Sequence, residues 1–490
     1  DISLAIGTDG FPVISYRMNN ADKLWFARCS NDSCTSAATT SVITDSGYYT
    51  SIAIGTDGYP VISSYNNSLK DLIFSKCTTG NCTTTTDWST TTVDASGDNG
   101  RYTSLAVGSD GLPVISYYAS TTQDFMIAKC GNSSCTSGNT TSTVEATGNV
   151  GQYTSLAIGT DGLPVISYYA STTGSNYGLR VAKCNNATCT SATTQTIDTS
   201  AADVGQYTSI TIAPDGWPVI SYYDATNGDL KVAKMLPIAE IQPSWGLSGT
   251  SSDALTATTT GACTAGVAWQ NGAWYEASAT SGSISLGVNI CTELAFVLDT
   301  SEAVASTTYR LRLLYSDGTT LNSYSQYPAL RIVSESQNTQ RYSKEAVKTA
   351  DSTCGGSATS SYSCNKISYG TDYVGYYASL AIGTDGYPVI AHMDITGTYS
   401  LLVTKCNSAD CSASSTQKVT YGTDNVGSYT SLAIGTDGYP VIAHLDNTGT
   451  SSLLVTKELG LPKTAISYFN KYIKTDKQIK YTRNLWTSAT

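Results

Sequence analysis

Histidine is almost missing from this chain, with two in 490 residues. Imidazole bases and histidine-rich metal sites therefore have little to draw on. Phenylalanine is scarce too: 6 residues against 34 tyrosines, in a chain saturated with Ser, Thr and Gly. That balance excludes a thick oily core and suits thin, wet β-sheets. Charged residues are only 13% of the chain, and 38 acidic against 27 basic give a net charge of −11. Such a surplus argues against a nucleic-acid partner, whose phosphates call for clustered Lys and Arg. No apolar run approaches the roughly 18 residues that span a bilayer, so no membrane span is expected. The chain opens on the strand-like Asp1-Ile2-Ser3-Leu4, so a secretion leader is expected to be absent or already removed. The C-x-x-C-H of covalently held c-type haem is absent, and no cofactor is expected.

What is present is regular. The 14 cysteines fall into pairs. Five are C-x4-C: Cys29/Cys34, Cys77/Cys82, Cys130/Cys135, Cys184/Cys189 and Cys406/Cys411. Cys354/Cys364 is a looser pair, and Cys263/Cys291 stand farther apart. Structural zinc wants four ligands, usually from two close pairs, whereas each pair here lies in its own repeat with no histidine nearby. The spacing predicts seven disulfides and an oxidising, extracellular or cell-surface setting.

A repeat carries the architecture. Ser3-Leu4-Ala5-Ile6-Gly7-Thr8-Asp9-Gly10 recurs almost unchanged at 51–58, 104–111, 155–162, 379–386 and 431–438, with a degenerate copy at 209–216. The turn aspartates Asp9, Asp57, Asp110, Asp161, Asp215, Asp385 and Asp437 are spaced by 48, 53, 51, 54, 170 and 52 residues. One unit reads as four short strands: Ser155–Gly159, Val165–Tyr169, Leu179–Cys184 and roughly Thr194–Asp198. Asp-Gly makes the tight turn after the first, and Pro164 opens the second where its missing N–H costs no ladder bond. Four strands per repeat, seven times over, predict an all-β, seven-bladed β-propeller with a repeat of about 52 residues; a β-solenoid is the alternative.

The long gap holds an insertion. Residues 1–235 read as blades one to five in first part, and 236–345 as an inserted immunoglobulin-like β-sandwich. Residues 346–458 read as the rest of blade five with blades six and seven, and 459–490 as a basic, aromatic extension. In that tail six basic residues oppose only Asp476, a net +5 within a chain of −11, which leaves −16 on residues 1–462. Blade seven lacks a Cys loop and a fourth strand, which must come from the tail, over Thr464–Phe469, or from another chain. Lys471, Tyr472, Lys474, Lys477, Lys480, Tyr481, Arg483 and Trp486 then form an assembly tail that adds a strand to a neighbouring copy. A tail folded back on its own propeller is the other reading.

The repeat Tyr-Thr-Ser-Leu-Ala-Ile-Gly-x-Asp-Gly-x-Pro-Val-Ile-Ser-Tyr-Tyr, followed by Leu-x-Val-Ala-Lys-Cys, resembles propeller repeats of large bacterial surface proteins. The insert's Cys291-Thr292-Glu293-Leu294-Ala295-Phe296 and Thr308-Tyr309-Arg310-Leu311-Arg312 are similar to sandwich modules in such proteins of uncultivated bacteria. The resemblance implies a secreted, surface-associated role without a known catalytic activity. The turn is also similar to the Asp-box of sialidases. Most copies lack its Trp, and the propeller's few arginines (Arg17, Arg28, Arg101, Arg180) form no evident triad for a sugar carboxylate.

Other residue sets admit two readings each. His392 and His444 share one repeat position, held by Tyr16, Tyr117, Tyr168 and Tyr222 elsewhere and by Ser64 in the second repeat. They read as a metal or proton-transfer pair or, preferably, as inter-blade packing. The turn aspartates suggest a calcium ring or local backbone bonding, again with the second preferred. Sequons at Asn31, Asn81, Asn132 and Asn186 fall in or beside Cys loops and are candidate glycosylation sites. The pairs Tyr117-Tyr118, Tyr168-Tyr169 and Tyr222-Tyr223 either stack on sugars or pack between blades. From these readings the chain is expected to be a non-enzymatic extracellular structural or adhesive protein, with copies of itself as partners in a filament or surface layer. A glycan-binding propeller is the alternative, and a glycoside-type hydrolase comes third.

Overall fold

The computed structural model describes residues 1–17, 22–172, 176–199, 203–235, 362–367, 373–395, 399–419, 426–446 and 452–459, with the backbone of further strands in 239–345 and 466–486. The chain divides into two compact units, Asp1–Lys234 with Cys364–Thr490, and Met235–Ser363. The first unit is a β-propeller of seven antiparallel sheets, each with its strands in sequence order.

Blade four shows how the repeat folds. Its strands are Asn149–Ile158, Pro164–Thr172, Asn176–Cys184 and Ala192–Asp198. The second strand of each blade is sandwiched between neighbouring blades, so in blade three every residue of Pro113–Ala119 is buried. Polar residues hold the outer strand, and Thr140–Glu145 of the same blade is largely exposed. This gradient is what the Tyr-for-Phe composition provides: aromatic bulk within the blades, with a hydroxyl that finds a partner at their edges.

The Asp-Gly turn works through local bonds. In all seven copies the aspartate Oδ1 accepts the amide two residues on, at 3.0–3.2 Å. The following glycine holds a positive φ, +81° at Gly10, a conformation that disfavours any Cβ.

The ring closes through one serine per blade. The serine that begins each Ser-Leu-Ala-Ile segment accepts an amide from the next blade's first strand: Ile52 to Ser3, Leu105 to Ser51, Leu156 to Ser104, Ile210 to Ser155, Leu380 to Ser209 and Leu432 to Ser379, at 2.9–3.1 Å. Leu4 donates to Ser431 at 2.8 Å and completes the circle. The first strands therefore line the axis. Adjacent first strands belong to separate sheets, and the serine oxygen bridges them.

Blade five is completed from distant sequence, and blade seven from the tail. Blade five runs Val204–Ile212, Pro218–Asp224, Asp229–Met235 and then Tyr362–Ile367, beyond the second unit. In blade seven, Ile466–Ile473 pairs with Ser452–Leu459 in the register Leu453 to Ile473, and Ile479–Trp486 adds a fifth strand. The fourth strand is thus supplied by the same chain, slightly later than Thr464–Phe469. The remainder of the tail, expected to reach a neighbouring copy, forms the edge strand beside it. Lys471, Tyr472, Lys480, Tyr481, Arg483 and Trp486 belong to strands of their own blade, while Lys474 and Lys477 lie outside the described residues. The physical reason is loop closure: a short connection from Leu459 to Ile466 brings the tail to the open edge at little entropic cost.

The second unit contains two antiparallel sheets. One joins Ala239–Ser244, Ile284–Ser285, Thr308–Ser316, Leu321–Tyr324 and Ala329–Arg331; the other joins Leu255–Thr260, Trp274–Ala277, Glu293–Asp299 and Thr339–Glu345. Cys263, Cys291 and Cys354 lie outside the described residues. Among the described residues no helix is long and apolar enough to cross a membrane.

Candidate functional site

The first strands begin earlier than alternation predicts, and the extra residues build the most unusual feature of the molecule. Each of blades two to seven enters its first strand through Gly-x-Tyr: Gly47-Tyr48-Tyr49, Gly100-Arg101-Tyr102, Gly151-Gln152-Tyr153, Gly205-Gln206-Tyr207, Gly375-Tyr376-Tyr377 and Gly427-Ser428-Tyr429. The glycine has φ between +95° and +110°, because a Cβ there would meet the preceding blade's third strand. At Gly151 it would lie 2.7 Å from Phe125 Cα. The tyrosine two residues on is also left-handed, with φ between +51° and +54° in all six blades. For a bulky side chain that conformation is a genuine outlier, and it costs on the order of 1–3 kcal/mol per site. The ladder slips at these residues, as between Val150/Gln152 and Gln152/Ser155. Such a bulge re-aims a side chain.

Here it gathers six tyrosines around the axis. Successive ring centroids are 4.5 Å apart for Tyr49–Tyr102, 4.7 Å for Tyr102–Tyr153, 4.7 Å for Tyr153–Tyr207, 4.9 Å for Tyr207–Tyr377 and 4.4 Å for Tyr377–Tyr429. All six are half-buried. In blade one the same repeat position is Asp1. Burial pushes the hydroxyl pKa up at Tyr49, Tyr153, Tyr207, Tyr377 and Tyr429, and neighbouring ring members add to the rise at Tyr49, Tyr153 and Tyr429. These hydroxyls stay protonated, serving as neutral donors and acceptors rather than as bases.

A second shell surrounds the ring at the same end of the propeller. Tyr65, Tyr118, Tyr169 and Tyr223 lie 6.1–6.3 Å from ring members. Their places in blades one, six and seven are taken by Arg17, Met393 and Leu445. Charges here are paired. Arg17 donates to Asp22 (2.8 Å) and to the Tyr48 hydroxyl (2.6 Å). Arg101 and the Tyr65 hydroxyl both donate to Asp98, at 2.8 and 2.7 Å. These bonds outweigh desolvation and hold Asp98 below the usual carboxylate range. Burial and the bond to Asp98 push Tyr65 up to about 12. Asp203 accepts from Tyr169 at 2.8 Å and from Gln206 at 3.0 Å. This end of the propeller is thus aromatic and rich in hydroxyls, with Arg17 and Arg101 paired to carboxylates and Asp203 held by neutral donors.

The residues singled out from sequence lie elsewhere. The turn aspartates sit at the opposite ends of the first strands, and six of them meet a cation: Arg28–Asp9, Lys76–Asp57, Lys129–Asp110, Lys183–Asp161, Lys234–Asp215 and Lys457–Asp437, at 2.5–2.8 Å. They hold turn to strand. Among the described residues no group of three or more His, Cys, Asp or Glu is placed to hold a metal. His392 and His444 are fully buried, each with Nε2 3.0 Å from a threonine hydroxyl, Thr404 and Thr456, and burial lowers both to about 3. Tyr117 and Tyr222, at the equivalent position, donate across the blade seam to Asp94 and Asp198, both at 2.6 Å. The first tyrosine of each pair is therefore inter-blade packing, while the second stands beside the ring.

Each C-x4-C pair is a disulfide-bonded loop, with Cα separations of 4.7 Å (Cys29–Cys34), 5.7 Å (Cys77–Cys82), 4.8 Å (Cys130–Cys135), 4.9 Å (Cys184–Cys189) and 4.9 Å (Cys406–Cys411). Cys364 is buried and also disulfide-bonded. Three of the sequon asparagines brace these loops: Asn31, Asn132 and Asn186 donate to Thr35, Thr136 and Thr190. Asn81 is exposed.

The tyrosine ring escaped the sequence reading because two left-handed residues interrupt the strand alternation. The available signal was Gly-x-Tyr, two residues before Ser-Leu-Ala-Ile in every complete repeat after the first.

No family model and no curated protein matches the chain. Solved structures similar to it include an α-L-arabinofuranosidase from Lactobacillus brevis (13% identity, TM-score 0.31, covering 46% of this chain and 84% of that one). They also include an endo-1,4-β-xylanase from Bacteroides thetaiotaomicron (14%, 0.32, 48% and 90%) and the polysaccharide lyase Uly1 (9%, 0.35, 99% and 89%). These findings correct two expectations. The expectations were a non-enzymatic structural or adhesive protein and a chain that is not an enzyme; the structures that this chain is similar to are enzymes by name.

Proposed function

We propose that this protein is a secreted, carbohydrate-active propeller that takes a neutral saccharide at its tyrosine-ringed channel mouth. The observation that carries this reading is the ring itself. Six tyrosines are held in a left-handed conformation that costs stability, at a level of the fold where the serine bridges already close the circle. Strain repeated in this way is the mark of a position kept for what the side chain does. A sugar ring offers an apolar C–H face to an aromatic ring and hydroxyls to protonated tyrosine oxygens, and the mouth supplies both. Arg17 and Arg101 are each paired with a carboxylate, so neither is free to take an anionic ligand.

Asp98, held ionised by Tyr65 and Arg101, and Asp203 are the carboxylates this mouth offers for general-base work on a bound saccharide. The disulfide loops support an extracellular setting, as does the resemblance to repeat propellers of bacterial surface proteins. The test is a panel of neutral polysaccharides and oligosaccharides, followed by product analysis and by binding. Turnover lost in Asp98→Asn or Asp203→Asn with binding retained supports the reading. Neither binding nor turnover with any member of the panel refutes it.

A further inference from the structure

The mouth is not symmetric. On the side of blades one to five the second shell is Arg17, Tyr65, Tyr118, Tyr169 and Tyr223, tied into hydrogen bonds. On the side of blades six and seven it becomes Met393 and Leu445, and two large aromatics stand in solvent instead: Tyr373, 52% exposed, and Tyr399, 40% exposed.

Topology places both at the tyrosine end. Tyr373 directly precedes Val374–Ile382, the first strand of blade six, and lies four residues before ring member Tyr377. Tyr399 directly precedes Ser400–Cys406, the third strand of that blade, which runs in the same direction as the first. The Tyr399 carbonyl accepts the amide of Val426, three residues before ring member Tyr429. Each exposed tyrosine thus flanks the entry to one ring position.

Both are held rather than loose. Tyr373 has φ +78°, another left-handed bulky residue. Its amide donates to Gly228 at 2.6 Å and its carbonyl accepts from Ile395 at 3.1 Å. Gly228 leaves the room this requires, since a Cβ there would lie 2.7 Å from the Tyr373 nitrogen. Three residues after Tyr373, Tyr376 lies 4.3 Å from Tyr223 and 5.4 Å from ring member Tyr207. An exposed tyrosine on a hydrogen-bonded backbone offers large contact area with few rotatable bonds to order.

We infer that Tyr373 and Tyr399 form outer subsites of an aromatic track, so that the ligand is an extended neutral oligosaccharide or polysaccharide running from the ring over the blade-six side. This rests on the saccharide reading of the ring. The alternative occupant of exposed aromatics, a protein partner, would show no dependence on saccharide length.

The experiment is calorimetric titration of the full chain with cello-, manno- and xylo-oligosaccharides of increasing length, on the wild type, Tyr373→Ala and Tyr399→Ala. Both substitutions fall on exposed loop positions and leave the propeller core untouched. The expected result is a wild-type affinity that rises with chain length. Each variant loses about three- to tenfold on the longer oligosaccharides and nothing on the disaccharide. If the wild type binds with length-independent affinity, or the variants keep the gain, the track is refuted while the ring reading survives. If the wild type binds no member of the series, the ring reading falls and takes the track with it.

Discussion

Replacing Tyr153 by glycine is expected to leave a more stable protein than replacing it by alanine, the reverse of the usual order within a strand. Both substitutions remove the ring contacts to Tyr102 and Tyr207, so those losses cancel in the comparison. What differs is the backbone. At φ +52° alanine keeps the left-handed penalty and glycine does not, a difference of about 1 kcal/mol in glycine's favour. In an ordinary strand glycine is the worse residue by roughly 0.5–1 kcal/mol. Tyr102 and Tyr207 share the conformation, so the triple glycine variant should exceed the triple alanine variant by about 3 kcal/mol. At an unfolding entropy of about 2.1 cal/mol/K per residue over a propeller of roughly 360 residues, that is about 4 °C in Tm. Differential scanning calorimetry under non-reducing conditions reads it directly. Equal melting temperatures, or a more stable alanine variant, would refute the claim that these tyrosines are strained, and the step from strain to function would go with it.

Four further outcomes follow from the same geometry. Gly151→Ala should cost about 2–4 kcal/mol, since its Cβ would lie 2.7 Å from Phe125 Cα at a φ of +95°, whereas Gly80→Ala, with nothing within 4 Å, should leave Tm unchanged. Lys457, buried between Asp437 and Asp32 at 2.6 Å from each, ties blade seven to blade one, and Lys457→Met should cost about 1 kcal/mol at neutral pH, the half-exposed carboxylates being screened by water. The Lys457 bond, acting against desolvation, holds Asp32 below its unfolded value, so its contribution is full above about pH 4 and lost as pH falls through the folded pKa; Lys457 is raised, so its share is lost only as pH rises through its own folded value, and Tm measured against pH should show the acid limb reduced in Lys457→Met. Reduction should cost about 2 kcal/mol of stability for each short loop opened and so lower Tm, yet leave the far-ultraviolet sheet signal, and intact mass before reduction should show no free thiol.

The blades were legible because their determinants are local. Asp9 and its six counterparts fix a turn within two residues of themselves, Pro164 marks a strand start, and the C-x4-C spacing closes a loop that needs no distant partner. The seven-bladed count followed from those turns alone. The ring was not legible in the same way, because its Gly-x-Tyr segment breaks the alternation that identifies a strand. The reason for each glycine, such as Leu72 against Gly100, lies in the preceding blade. In the tail, the need for a fourth strand in blade seven was legible from the missing Cys loop, whereas its exact start at Ile466 and the fifth strand that follows were not.

The central claim is that the tyrosine ring holds a saccharide, and one titration addresses it most directly. Neutral oligosaccharides bound by the wild type are titrated into Tyr102→Gly/Tyr153→Gly, the substitution that keeps the left-handed backbone comfortable. The account predicts at least about a tenfold loss of affinity in a variant that remains folded. Unchanged affinity in that folded variant would place the binding site elsewhere and contradict the account.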